Sequence, residues 1–362
     1  MNNDEHFMQM ALQLARKGMG YVSPNPLVGA VIVKGDRIIG SGYHKRYGDH
    51  HAEVNAIRNA REDIAGATLY VTLEPCCHEG KTPPCVDSIV RNKIARVVIG
   101  AVDSNPLVCS EGINYLRRCG IEVKTGVLEN ECRRMNETFF HYMETGRPFI
   151  TVKYAQTLDG RIATSTGNSQ WISAERARRL AHQLRARHDA VLVGAGTVIK
   201  DNPELTVRLV RGRNPLRIIV DANLRIPLDA KILQNIAQAK TIVATTKDEA
   251  SALSKKIAAT GAEIITVAAD KNGNVDLAKL FKALGLRGIS SVLVEGGAQI
   301  ITSLLKDNLA DRLLIIIAPK IIGKGIEAIG DLQIRDMESA KILSIQKVKK
   351  IGPDLLIDGR LT

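Results

Sequence analysis

The sequence predicts an α/β protein in two domains, and three observations predict it. Short apolar, β-branched runs alternate with segments of helical spacing along the whole chain, the pattern of strands covered by helices. At 362 residues the chain is longer than one core usually organises. Gly146 and Pro148 punctuate it where its charge changes: residues 1–146 hold 17 Lys plus Arg against 17 Asp plus Glu, and residues 147–362 hold 33 against 21. The net charge of +12 therefore belongs to the second part, and the expected domains are 1–146 and 147–362.

In the first domain, Met8, Ala11, Leu12 and Ala15 fall at helical spacing within Phe7 to Arg16, with Gly18 available to end the helix. Leu27–Val33, Ala67–Leu73 and Arg96–Val102 read as buried strands. Helical patterns follow His51 and Cys85, the second opened by Pro83 and Pro84. The second domain starts with a strand, Phe149 to Ala155. A helix follows, with Ser173 as N-cap and Ala177, Leu180, Ala181 and Leu184 on one face. Six further strand patterns come after it, the most apolar at Leu313–Ala318.

Composition narrows the function. The acidic start, "MNNDEHF", is unlike a secretory signal, and no apolar run nears the roughly 18 residues a bilayer requires, so a cytoplasmic protein without membrane contact is expected. All six cysteines lie at or before Cys132, which suits metal binding or packing better than a disulfide framework, and packing is the expectation for Cys109, Cys119 and Cys132. A basic domain raises nucleic acid or phosphate-rich small molecules as partners. Only 4% of residues are aromatic, which leaves few platforms for stacking bases and disfavours nucleic acid.

The densest chemistry lies in "LEPCCHEGKTPPC", residues 73–85. A closed structural zinc site needs four ligands, and Cys77 and His78 are the only neighbours able to complete one. Zinc deaminases instead carry H-x-E followed by P-C-x-x-C, with one His and two Cys on the metal and the Glu as proton carrier. His51-Ala52-Glu53 and Pro75-Cys76 match, while the second cysteine, Cys85, stands nine residues on rather than three. His51, Cys76 and Cys85 are the expected ligands, leaving a place for a water that zinc would turn into a hydroxide nucleophile. Glu53 is the expected acid/base. Cys77 is expected to be a packed thiol and His50 a neighbour.

With "SPNPLVGAVIV", "GYH", "HAE", "PCCHEGKTPPC" and "DSNP" in one order, residues 1–146 resemble the deaminase domain of the bacterial bifunctional riboflavin-biosynthesis deaminase-reductases. "KYAQTLDGRIA", "SQWIS", "GAGTVIKDNPELTVR" and "VEGGA" extend the resemblance through residues 147–362. Two stretches depart from the family pattern, His50 in "DHHAE" and the segment "VCSEG". The resemblance implies a cytidine-deaminase-like three-layer domain, then an α/β domain similar in fold to dihydrofolate reductase. It implies Zn2+ and NADPH as cofactors, phosphorylated pyrimidines as substrates, and a homo-oligomer. The implied activity is hydrolytic deamination of 2,5-diamino-6-(5-phosphoribosylamino)pyrimidin-4(3H)-one. NADPH reduction of the ribosyl to the ribityl chain would follow, giving 5-amino-6-(5-phosphoribitylamino)uracil. The competing reading is a tRNA-type zinc deaminase with a basic accessory domain, which the neutral first half opposes.

Carried over position by position, the resemblance implies that Asn25, His44, Lys81, Asp103 and Asn105 hold the deaminase substrate. It implies that NADPH meets Ala155, Trp171, Thr197, Asp201 and the run Gly297, Ala298, Gln299, Ile300, Ile301, Thr302 and Ser303. The reductase substrate would meet Lys153, Ser169, Arg185, Leu205, Arg208 and Glu295, with Arg208 as a phosphate clamp. Asp159 is a further matched position without an assigned step. Physically, "VEGGAQI" can open a helix whose first N–H groups face a diphosphate. No G-x-G-x-x-G fingerprint supports a dinucleotide-binding doubly wound fold.

Overall fold

The computed structural model describes residues 3–105 and 110–361, so Val108 and Cys109 of the divergent "VCSEG" segment lie outside the described residues. The chain forms two compact units that meet between Gly146 and Arg147.

In the first unit the elements run α1 (Asn3–Ala15), β1 (Gly29–Lys34), β2 (Arg37–Tyr43), α2 (Ala52–Arg58), β3 (Thr68–Leu73), α3 (Cys85–Arg91) and β4 (Arg96–Ala101). α4 (Glu111–Arg118), β5 (Glu122–Lys124), α5 (Glu129–Met135) and α6 (Glu137–Thr145) complete it. The sheet order is β2-β1-β3-β4-β5; β1 is antiparallel to both neighbours, and the β3, β4 and β5 pairings are parallel. Two glycines show how tightly it is covered. A Cβ on Gly29 would strike the Ala11 carbonyl of α1, and one on Gly42 the Ala52 carbonyl of α2. Gly42 pairs with Ala30, the residue after Gly29, so the two glycines face opposite sides of the sheet. Helices thus cover both sides, giving three layers. Met8, Ala11 and Leu12 are buried as their spacing predicts.

The second unit runs β6 (Phe149–Thr157), β7 (Arg161–Thr164), α7 (Glu175–Arg187), β8 (Ala190–Gly194), α8 (Ala195–Asp201), β9 (Leu216–Val220), α9 (Lys231–Gln234), β10 (Thr241–Thr245) and α10 (Ala252–Ala258). It continues with β11 (Glu263–Thr266), α11 (Leu277–Leu286), β12 (Ser291–Val294), α12 (Ala298–Lys306), β13 (Arg312–Ala318), β14 (Gly325–Glu327), β15 (Leu343–Ile351) and β16 (Asp354–Leu361). Nine strands form one sheet in the order β11-β10-β9-β8-β12-β6-β13-β16-β15. It is parallel up to β13 and antiparallel through β16 and β15. Along β8, Ala190 and Leu192 enter one apolar core while Val191 and Val193 enter another. Burial on both faces is why this strand reads as an unbroken apolar run.

One expectation is corrected. Ser173 does not cap α7: the cap position is Ala174, which offers no side-chain acceptor. The Ala174 N–H donates to the Asp354 carboxylate (2.8 Å), so the acceptor comes from a distant strand rather than from the local serine. Among the described residues, no helix is long and apolar enough to cross a membrane.

Candidate functional site

The first site is assembled at the ends of three elements. His51 occupies the N-cap position of α2, Cys76 follows the C-terminal end of β3, and Cys85 opens α3 behind Pro84. Parallel pairing of β3 with β4 requires a crossover, and α3 is that crossover, which returns Cys85 to the strand end bearing Cys76. His51 Nδ1 lies 3.4 Å from Cys76 Sγ and 3.3 Å from Cys85 Sγ, and all three donor atoms fall within 4.8 Å of one another. Zinc bonds of about 2.1 Å to nitrogen and about 2.3 Å to sulfur set donors roughly 3.5 Å apart in a tetrahedron, so this donor set fits the ion. The backbone N–H of Cys85 donates to Cys76 Sγ (3.4 Å). The Cys85 thiol above all, then His51 and last that backbone bond, hold the Cys76 thiol down to about 4 against burial, as suits a metal-binding thiolate.

Glu53 stands one residue inside α2, 3% exposed, and its Oε2 has no hydrogen-bond partner. Burial pushes its carboxyl up to about 7 against the opposing pull of His51. His51, Glu53 and Cys76 line a cavity of about 260 Å3, and so do Asn25, His44, Lys81, Asp103 and Asn105. The His44 ring is 1% exposed and bonded at both nitrogens: Nδ1 reaches the His50 carbonyl (3.2 Å), and Nε2 meets Asn25 Nδ2 (3.3 Å). Nδ1 therefore carries the proton and Nε2 accepts. His50 contributes this carbonyl, which also accepts from Asn55 Nδ2 (2.9 Å). The Lys81 ammonium lies 4.0 Å from the centre of the Tyr47 ring, itself a cavity wall. Asp103, its carboxyl pushed up to about 6 chiefly by burial, accepts the Asn105 N–H (2.8 Å).

A second cavity, about 580 Å3, belongs to the second unit and is lined by Lys153, Ala155, Ser169, Trp171, Thr197, Asp201, Arg208 and Gly297. Arg185 and Glu295 also line it, forming a two-point ion pair (2.5 and 3.0 Å) with both side chains about one-tenth exposed. Burial alone would raise the Glu295 carboxyl, but Arg185, with Lys153 and His182, holds it down to about 2. Burial pushes the Lys153 ammonium downward, with Glu295 opposing. Gly297 caps the nine-residue α12 without a side-chain acceptor, so the first N–H groups of that helix are available to an anion at the cavity. A dinucleotide fits this arrangement.

Not every expected contact faces the space. Ile301 is wholly buried in the apolar core, and Thr302 Oγ1 is engaged by the Ala298 carbonyl and the Gly330 N–H. Leu205 is buried under the sheet at a left-handed φ of 54°. Asp159 binds Thr157 Oγ1 and the N–H groups of Ile322 and Gly323, tying the β6–β7 turn to a distant loop.

Comparison with known proteins decides the family. Residues 1–101 match the model described as the cytidine and deoxycytidylate deaminase zinc-binding region, and residues 148–357 match the RibD C-terminal domain. The riboflavin biosynthesis protein RibD of Aquifex aeolicus is 48% identical over 98% of this chain and 97% of its own length. The chain belongs to the RibD family. A Thermotoga maritima crystal structure, of a diaminohydroxyphosphoribosylaminopyrimidine deaminase/5-amino-6-(5-phosphoribosylamino)uracil reductase, is 40% identical. It superposes with a TM-score of 0.89 over 99% of both chains. Acinetobacter baumannii RibD gives 0.90 at 35% identity, also over 99% of both. The chain thus joins a deaminase to a reductase in riboflavin biosynthesis.

Against that family frame, the structure adds residues that sequence reasoning missed. Glu74, beside Pro75-Cys76, is 4% exposed and accepts the backbone N–H groups of Asp103, Ser110 and Ile113, fixing both described flanks of the loop that carries Asp103 and Asn105. Phe139 and Met143 of α6 add an apolar wall to the deaminase cavity, beyond residue 101 where the deaminase match ends. His182 and Arg178 line the reductase cavity, the latter with its guanidinium 4.4 Å from the Trp171 ring centre. A histidine three residues before Arg185 in an arginine-rich helix was the available signal for His182.

Proposed function

We propose that the first unit hydrolyses the 2-amino group of 2,5-diamino-6-(5-phosphoribosylamino)pyrimidin-4(3H)-one. The second then reduces the ribosyl chain of the product with NADPH, giving 5-amino-6-(5-phosphoribitylamino)uracil. The observation that carries this is the clustering of His51, Cys76 and Cys85 beside a Glu53 with one unpartnered oxygen, at a cavity also lined by Asn25, His44, Lys81, Asp103 and Asn105.

His51, Cys76 and Cys85 would hold zinc, which supplies a water acidic enough to ionise near neutral pH. Glu53 Oε2, buried and without another partner, would carry two protons in turn, the first from the attacking water to the ring nitrogen and the second from the added hydroxyl to the departing amine, which leaves as ammonia. Asp103, Asn105, Asn25 and the acceptor nitrogen of His44 orient the pyrimidine, and Lys81 meets its phosphate. In the second unit the first N–H groups of α12, with Thr197, Asp201 and Trp171, would hold NADPH, which would supply a hydride. Glu295 stays ionised and holds Arg185 in place, while Lys153, Ser169 and Arg208 bind the substrate, Arg208 at the phosphate.

Incubating the protein with the diaminopyrimidine phosphate and NADPH, and following product mass over time, tests both steps. Ammonia release, then NADPH consumption and a ribityl product, is the expected result; ammonia without NADPH consumption refutes the second half. A tRNA-type deaminase gains no support, because the deaminase unit carries no net charge.

A further inference from the structure

The segment that leads to Arg208 has no regular structure of its own. It follows α8, and Leu205 within it takes a left-handed φ. Arg217 holds its start at the Glu204 carbonyl (3.2 Å) and Asn214 the Val207 N–H (2.7 Å), and α7 holds it at two further points. Arg185 donates from Nη1 to the Thr206 carbonyl (3.1 Å), and one turn earlier His182 Nδ1 accepts the backbone N–H of Arg208 (3.0 Å). The Arg208 guanidinium is aligned in turn by Thr206 Oγ1 (2.8 Å) and Glu204 (2.6 Å). His182 is 7% exposed, lines the reductase cavity, and is given no part in the chemistry above.

The bond requires one form of the ring. Nδ1 accepts only in a neutral imidazole whose proton sits on Nε2. Burial, with Arg185 and Arg208 close by and Glu295 opposing, holds the ring down to about 4, so it is neutral at any ordinary assay pH.

We propose that His182 is a positioning residue of the reductase: its Nδ1 hooks the backbone at Arg208 and so sets the guanidinium that grips the substrate phosphate. The inference rests on the phosphate role given to Arg208 above. The hook acts through Arg208, so its removal should be felt at the phosphate and not at the hydride.

The test is steady-state kinetics of the reductase step on H182L, H182N and R208A in the full chain. The substrates are the deaminated ribosylaminouracil 5'-phosphate and its 5'-hydroxyl counterpart. H182L removes the acceptor at similar size, and its expected effect is about a tenfold rise in KM for the phosphate compound. kcat should stay within about twofold, with no change in KM for the 5'-hydroxyl compound. H182N, whose amide oxygen replaces Nδ1, should restore KM. In an R208A background, H182L should add nothing. If R208A raises KM for the phosphate compound alone while H182L does not, or raises it for both compounds equally, the hook is refuted and the role of Arg208 survives. An R208A protein with unchanged KM refutes the role of Arg208, and the hook with it. Reductase turnover of the 5'-hydroxyl compound by the same preparations reports folding of the reductase unit, and H182F replaces H182L if the latter does not accumulate.

Discussion

Replacing Glu53 by Gln should separate chemistry from stability. The carboxyl is 3% exposed, has one oxygen without a partner, and is pushed from its ordinary 4.5 up to about 7 by burial. In the metal-free protein that gap corresponds to about 3 kcal/mol against ionising the group in the folded state. The sign follows from proton counting. Below pH 4.5 the carboxyl is protonated folded and unfolded, and nothing is lost; as pH rises to about 7 only the unfolded chain releases the proton; above that the full penalty is carried. Chelator-treated Glu53→Gln protein should therefore match the parent at pH 4 and exceed it at pH 8 by up to about 3 kcal/mol. Catalysis should move the other way. Loss of the proton carrier removes about 10²–10⁴ in rate, or roughly 3–5 kcal/mol of barrier lowering. The assays are ammonia release, zinc content by atomic absorption, and unfolding of the deaminase unit at both pH values. Zinc lost along with activity would make Glu53 a ligand and refute the proton-carrier role. A lower stability at pH 8 would refute the burial argument.

Three further outcomes are expected. Cys77→Ser should keep zinc, because the donor set converges without Cys77, whereas Cys76→Ser or Cys85→Ser should lose it and deamination while NADPH-dependent reduction persists; zinc analysis and the two assays decide. Glu295 is held down to about 2 against burial by Arg185, so its stabilisation is complete above about pH 4.5 and fades as pH falls toward 2. The deficit of Glu295→Gln, about 3 kcal/mol at pH 7, should shrink across that window, and a pH-independent deficit in unfolding experiments would refute the pairing. Arg217 is wholly buried and donates to the carbonyls of Glu204, Asn235 and Ala239. Arg217→Met should destabilise the reductase unit by about 3 kcal/mol, and a loss under about 1 kcal/mol in denaturant titration would show those carbonyls to be satisfied otherwise.

What the sequence made legible was local. His51 and Glu53 are two residues apart, and the strand ending at Leu73 with the helix opening at Cys85 can be read from β-branching and Pro83-Pro84. The parts that stayed hidden depend on contacts across tens of residues. Glu74 reads as an acid at a strand end until the chain brings Ser110 and Ile113 back to it. His182 meets Arg208 only because α7 lies along the segment carrying it. The run Gly297 to Ser303 shows a different limit. A helix turns its residues through 100° at each step, so seven in a row cannot all face one ligand, and Ile301 accordingly lies in the core.

The two buried glutamates, Glu53 and Glu295, show how one chain sets opposite tasks for the same side chain. Each is nearly excluded from water, and burial alone pushes both carboxyls upward. At Glu53 burial outweighs the opposing pull of His51, and Oε2 is left without a partner. Without the metal the proton is therefore held to about pH 7, and a dication bound by His51, Cys76 and Cys85 would pull the carboxyl down from there. At Glu295 the protein supplies Arg185 at two hydrogen bonds, with Lys153 beside it, so the group stays ionised and cannot exchange a proton at working pH. An acid/base belongs at the first position and a fixed counter-charge at the second. Exchanging the surroundings should exchange the roles: Arg185→Met removes the paired cation, and the Glu295 carboxyl should then rise as Glu53 does. Fourier-transform infrared titration of the carboxyl stretch in that variant measures the rise directly. A Glu295 that stays ionised to low pH without Arg185 would show that Lys153 and His182, not the ion pair, hold it down.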